Sequence, residues 1–290
     1  MSDTHNYKVP TSPENFNHLK ADCTECFGLC CAALPFSESI DFAINKEAGQ
    51  PCPHLQTNFR CGQHQELREL GFRGCTVYDC FGAGQKVSRY TYDGVDWLTA
   101  PDKAKEMFEV FPVMRQLHEL LWYLNEALIH TAAYSLQKEL QSALEHTQQL
   151  TLQQPETLLS LDVNAHRAEV NKLLLRTSEL VRNEAETIST PAADRRKSYS
   201  RGADLIGAKL KRADLRGANL RGAFLIAADL READLRMADL IGADFRDADI
   251  RGADLRGSIF LTQFQVNAAI GDSNTQLPPL LEYPSHWQQN

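Results

Sequence analysis

From Ala203 onward the chain repeats itself every five residues, and this period constrains the fold more than any other feature of the sequence. The units read Ala203-Asp204-Leu205-Ile206-Gly207, Ala208-Lys209-Leu210-Lys211-Arg212 and Ala213-Asp214-Leu215-Arg216-Gly217. The pattern runs through Ala253-Asp254-Leu255-Arg256-Gly257 and fades at Ser258-Ile259-Phe260. A small residue and a large apolar one sit two apart, so in an extended segment both face the same side. The remaining positions must turn the chain through a corner. Gly207, Gly217, Gly222, Gly242, Gly252 and Gly257 share one corner position in the unit, where tight backbone geometry is easiest for glycine. A helix cannot use this pattern: five residues advance an α-helix by about 500°, which scatters the leucines around the axis and leaves no apolar face.

These residues closely resemble the pentapeptide-repeat family over about sixty residues. The resemblance implies a right-handed quadrilateral β-helix with four repeats per coil. It places Leu205, Leu210, Leu215, Leu220, Leu225, Leu230, Leu235, Leu240, Phe245, Ile250, Leu255 and Phe260 in the central ladder, with the alanines two residues earlier completing the interior. About three coils result, and at about 4.8 Å per coil they stand roughly 15 Å tall. The open end needs a cover, and Leu277 and Trp287 in the tail suit a cap.

Residues twenty apart then stack on one wall. Arg216, Arg236 and Arg256 make one column, and Asp214, Asp234 and Asp254 make another beside it; Lys211, Arg231 and Arg251 line the neighbouring wall. A basic stripe for an acidic partner is one reading. Mutual neutralisation of adjacent Asp and Arg columns is the reading we favour, because exposed pairs mostly confer solubility. Some members of the family mimic DNA with a strongly acidic rod and bind gyrase. Here acids and bases are nearly balanced, which disfavours that role.

All eight cysteines fall in the first third: Cys23, Cys26, Cys30, Cys31, Cys52, Cys61, Cys75 and Cys80. The chain opens without an apolar leader, and no apolar run is long enough to span a bilayer, so a cytoplasmic location is expected. In a reducing compartment such a cluster reads as metal-binding before it reads as disulfide-bonded. Cys23-Thr-Glu-Cys26, Cys30-Cys31, Cys52-Pro-His-Leu and Cys75-Thr-Val-Tyr-Asp-Cys80 together resemble a cysteine-cluster family described as zinc- or iron-chelating. That resemblance implies zinc or an iron–sulfur cluster as cofactor, with all eight cysteines as candidate ligands. Thiolates are soft donors suited to either. Adjacent Cys30 and Cys31 point in different directions and can serve different sites. Eight thiolates can form two zinc sites, or hold one cluster with structural cysteines to spare. His54 and His64 are weaker candidates. Gly82-Ala83-Gly84 is too slight a glycine signal for a phosphate loop.

The organisation expected is mixed and multidomain: a disordered lead-in over 1–20, a Cys-rich metal-binding module over 21–100, a helical region over 101–187, a linker over 188–200, and the repeats with their cap over 201–290. Leu117, Leu120, Leu121, Leu124 and Leu128, and later Val170, Leu173, Leu174 and Leu180, follow helical spacing. Pro112 and Pro155 bracket the first pattern. Two main helices in an antiparallel hairpin follow, with a short helix around Lys103–Val110. The net charge of -8 argues against general nucleic-acid binding. No Ser-His-Asp or paired-carboxylate arrangement stands out, so an enzyme is the less favoured reading. The first reading is a metal-stabilised interaction scaffold with a protein partner, a second copy of the chain among the candidates. The alternative is an iron–sulfur-dependent redox or modification enzyme.

Overall fold

The computed structural model describes residues 14–188, 199 and 201–289. Most of the expected lead-in and almost all of the expected linker lie outside these residues. The helices are α1 (Glu14–Asn17), α2 (Leu29–Ala33), α3 (Arg73–Val77), α4 (Ala83–Lys86), α5 (Pro101–Ile129), α6 (Gln137–Leu150), α7 (Pro155–Ser160), α8 (Val163–Ile188) and α9 (Gln263–Ala268). No helix among the described residues is long and apolar enough to cross a membrane.

Two compact units emerge. The first holds residues 1–37, 44–64 and 80–174; the second holds 38–43, 65–79 and 175–290. In the first, α5 is the spine. Proline opens it at Pro101, where the missing N–H costs nothing, and it then runs straight through Pro112. The helix around 103–110 is therefore the first third of α5 and not a separate element. Pro112 cannot bond the carbonyl one turn back, but Met107, Val110, Phe111 and Met114 around it are all buried, and that packing outweighs the lost bond. The expected two-helix hairpin is likewise corrected. After α5 the chain turns into α6, takes a short α7 that starts on Pro155, and only then enters α8. Arg167 on α8 reaches Glu119 on α5 at 2.8 Å, and His166 meets the Thr147 hydroxyl of α6 at 2.9 Å.

The loops that precede α5 are not freestanding. Phe27, Phe59, Trp97 and Phe108 form a chain of ring contacts with centroids 5.4–5.5 Å apart, and the Trp97 indole N–H donates to the Phe27 carbonyl at 2.8 Å. Tilted and edge-on aromatic pairs of this kind add to the area they bury. They tie the cysteine-bearing loops to α5.

In the second unit the repeats wind with twenty residues per turn. Parallel single-residue bridges join Asp204 to Phe224 and Phe224 to Asp244, Asp214 to Asp234 and Asp234 to Asp254, and Asn219 to Asp239 and Asp239 to Ile259. The expected right-handed quadrilateral β-helix is nevertheless corrected. Among the described residues no β-strand forms in the repeats, which alternate turns with isolated bridges, and the chain's regular secondary structure is helical. The reason lies in the unit itself. A corner every five residues leaves too short an extended stretch between corners for a strand ladder.

The corner position has positive φ in every unit from 207 to 257, between 54° and 69°. Glycine occupies six of these corners, and Arg212, Ala227, Glu232, Met237 and Asp247 take the same conformation. Inside, the large residues from Leu210 to Phe260 are at most 3 % exposed, and Leu235 is at 0 %. Each fully buried leucine contributes up to about 1.5–3 kcal/mol.

The tail closes the final coil. Thr262 caps α9 through a reciprocal box with Gln265, and the Gln265 amide donates to the Leu240 and Ala243 carbonyls at 2.7 and 2.9 Å. Ile270 and Gln276 bridge Asp249 and Asp254 in place of a further coil. Trp287 is buried over Gly271 and donates to the Ala269 carbonyl at 3.0 Å.

Candidate functional site

The walls of the repeat coil are paired in charge. Each of Arg216, Arg231, Arg236, Arg246, Arg251 and Arg256 grips the aspartate two residues before it through Nε and Nη2; for Arg231 and Asp229 the bonds measure 2.7 and 2.6 Å. The columns also touch across coils, with Arg216 to Asp234 and Arg236 to Asp254 at 3.6 Å. The Arg231 bonds hold the Asp229 carboxyl down at about 2. The Asp214/Asp234/Asp254 and Arg216/Arg236/Arg256 columns thus lie side by side and neutralise one another. No single-signed stripe results on this wall. One pair differs: Arg221 and Asp239, 2.7 Å apart, are 4 % and 0 % exposed.

The cysteines separate by unit. Cys75 sits exposed on α3 in the second unit, and the other seven belong to the first. None of the eight is in a disulfide. As the side chains stand, no three His, Cys, Asp or Glu groups among the described residues are close enough to hold a metal ion. His54 is half-buried and His64 exposed.

The seven nevertheless gather in an ordered way. Gly28 enters α2 with φ of 65°, and α2 carries both Cys30 and Cys31, whose sulfurs lie 3.9 Å apart. The Cys31 carbonyl accepts the Cys52 N–H at 3.0 Å, Leu55 folds back onto the Cys52 carbonyl, and Leu55 pairs with Cys61. Cys23, Cys52 and Cys61 all lie within electrostatic reach of Cys31. The sulfurs of Cys52 and Cys61 receive backbone N–H groups from His54 and Gln63, each two residues on. Cys26 receives N–H groups from Gly28 and Leu29 and a hydroxyl from Ser88. Such donors stabilise a thiolate and aim it. Gly84 fits against both Cys26 and Cys80, and a Cβ there would meet Cys26 Sγ at 2.7 Å.

Several of the residues around the sulfurs carry no sequence pattern. Lys46 is buried, and its ammonium donates to the Gln50, Glu47 and Ala32 carbonyls at 2.8–3.3 Å, within electrostatic reach of Cys30, Cys31 and Cys52. Ser88 is fully buried in a π-helical turn and also accepts the Phe27 N–H at 3.0 Å. The contact with the Cys31 sulfur, together with burial, pushes the Cys30 thiol well up. The same contact, with Lys46 nearby, draws Cys31 down despite burial. Burial pushes Cys23, Cys26, Cys52 and Cys61 up.

Comparison with known proteins places these features. The pentapeptide-repeat family model, "Pentapeptide repeats", matches residues 201–236 and 225–260. A pentapeptide repeat protein from the Arabidopsis thaliana thylakoid lumen is 29 % identical over 32 % of this chain and 69 % of that one, with a TM-score of 0.16. The "Uncharacterized protein YybG" of Bacillus subtilis (strain 168) is 63 % identical over 270 residues, which is 93 % of this chain and 95 % of that protein. The chain therefore belongs to the family of Bacillus subtilis YybG and carries its pentapeptide repeats in its last third.

Proposed function

We propose that this protein is an interaction scaffold whose cysteine module is fastened by thiolate-bound metal and whose repeat coil offers a flat, charge-balanced wall to a protein partner. The observation that carries the metal reading is the set of backbone N–H groups turned onto the sulfurs of Cys26, Cys52 and Cys61 by the residues that follow them. The partner reading is supported by the paired Arg and Asp columns, which give solubility and register without a long-range field.

Bound metal would add cross-linking to loops already held by the Trp97 ring cluster and by the bonds of Lys46 and Ser88. The test is metal analysis of protein purified anaerobically, followed by chelation under reducing conditions and limited proteolysis. Metal bound in at least equimolar amount, with cleavage after chelation confined to residues 21–80, is expected. Protein that carries no metal, or loops equally protected without it, overturns the reading.

A further inference from the structure

Cys30 and Cys31 are neighbours in sequence, and the turn of α2 brings their sulfurs to 3.9 Å. Both residues keep part of their surface exposed. A disulfide holds its sulfurs at about 2.05 Å and usually joins Cα atoms about 4.4–6.8 Å apart, whereas adjacent residues stand about 3.8 Å apart. The two sulfurs can close the remaining gap only if the backbone between them gives up its helical turn. That turn also anchors the loop that follows it. The Cys31 and Ala32 N–H groups both donate to the Gly28 carbonyl, at 2.9 and 3.0 Å. The carbonyls of the same short helix then hold the loop: Cys31 accepts the Cys52 N–H at 3.0 Å, Ala32 the Lys46 ammonium at 3.3 Å, and Ala33 the Gly49 N–H at 3.3 Å.

We infer that Cys30 and Cys31 form a reversible vicinal disulfide by exchange with a low-molecular-weight disulfide, and that its closure unwinds α2 and frees the loop over residues 46–52. One sulfur of the pair attacks a sulfur of the reagent, whose S–S bond breaks and releases one thiol. The second sulfur of the pair then attacks the cysteine sulfur of the mixed disulfide, and the second reagent thiol leaves. The pair gives up two electrons and two protons, and the reagent gains both and becomes two thiols. A strained, part-exposed disulfide is the readily reduced kind, so excess thiol reverses the step. The inference is separate from the metal reading, which concerns the sulfurs while they are reduced.

The test treats the full-length chain, purified reduced and anaerobically, with oxidised glutathione and maps the product by peptide mass spectrometry. Two of the eight thiols should be lost, and the peptide bearing Cys30 and Cys31 should be lighter by two hydrogens and carry no glutathione. Amide hydrogen exchange over residues 46–52 should rise about tenfold or more, as expected of a local opening, and return to its starting rate with dithiothreitol. Cys30→Ser and Cys31→Ser should each leave that exchange unchanged under the oxidant. The mapping on the parent chain needs neither variant to fold. A disulfide on other cysteines, a mixed disulfide that goes no further, or thiols that resist the oxidant overturns the pair as an exchange site. A Cys30–Cys31 disulfide that forms without faster exchange over residues 46–52 overturns the release of the loop.

Discussion

The Nδ1 of His118, on helix α5, bonds the backbone carbonyl of Phe81 at 2.7 Å in a setting where the imidazole is 2 % exposed. The long helix thereby grips the loop directly after Cys80. This bond joins the Trp97 ring contacts in tying the helical spine to the loops that carry the cysteines, and it is made by a ring that burial keeps neutral.

The burial of this ring has a pH signature. Burial, with smaller contributions from His18 and Lys86, holds the His118 pKa down at about 4, whereas the bond to Phe81 pulls it up. A depressed histidine favours folding above its unfolded pKa of about 6.5, and the contribution is lost as pH falls toward 4. Stability should drop by about 2 kcal/mol between pH 6.5 and 5 on this account. His130, also near 4 through burial, adds to the same window. His118→Asn keeps an N–H donor and removes the titration. Urea midpoints at pH 7 and pH 5 should converge in that variant relative to the parent, and an unchanged gap would discard His118 as the source.

The Arg and Asp pairs of the coil should respond unequally to truncation. Asp239 is fully buried against Arg221, and removing it takes away a buried counter-charge. Asp239→Ala should cost about 3 kcal/mol or more. Asp254→Ala, on the solvent-facing wall, should cost less than about 1 kcal/mol. Chemical denaturation of the two variants compares them directly, and equal losses would contradict the burial argument.

Leu235 lies at 0 % exposure in the middle of the coil. Leu235→Arg should cost several kcal/mol, roughly 3–5, because it places a charge among leucines with no partner. Loss of the repeat segment's protease resistance is the readout. A variant as resistant as the parent would show that the interior is less well sealed than its packing indicates.

Ala227 holds φ of 54° at a corner where most units use glycine. The left-handed region costs an L-residue about 1–2 kcal/mol, and part of that gain is returned as unfolded-state entropy when glycine is introduced. Ala227→Gly should therefore raise stability by up to about 1 kcal/mol. A lower melting temperature in that variant would mean the alanine methyl makes a contact worth more than the strain.

The repeat interior was legible because periodicity is a physical record of what shares a side. Leu205 through Phe260 fell where the five-residue period puts them, and the glycines marked the corners. The β-strands did not follow, because bridge formation depends on how many extended residues lie between corners, which the period alone understates. Pro112 misled for a similar reason: a proline reads locally as a stop, but the buried Met107, Phe111 and Met114 are a tertiary gain invisible in the local pattern. The cysteines announced themselves by type and density. Lys46, Ser88 and Gly84 did not, because a lone lysine, serine or glycine has no spacing to read. Only the slight Gly82-Ala83-Gly84 pattern touched the place where Cys26 and Cys80 meet.

The twenty-residue turn makes the coil a device with a fixed gearing. Inserting or deleting one five-residue unit would advance everything beyond it by a quarter turn, so that the Asp and Arg columns of one wall would continue onto the next and the tail's bridges to Asp249 and Asp254 would meet different partners. Adding a whole turn of twenty would lengthen every wall by one rung and leave each column and the closing tail in phase. Length in such a molecule can change in only one step size without rewriting its surface.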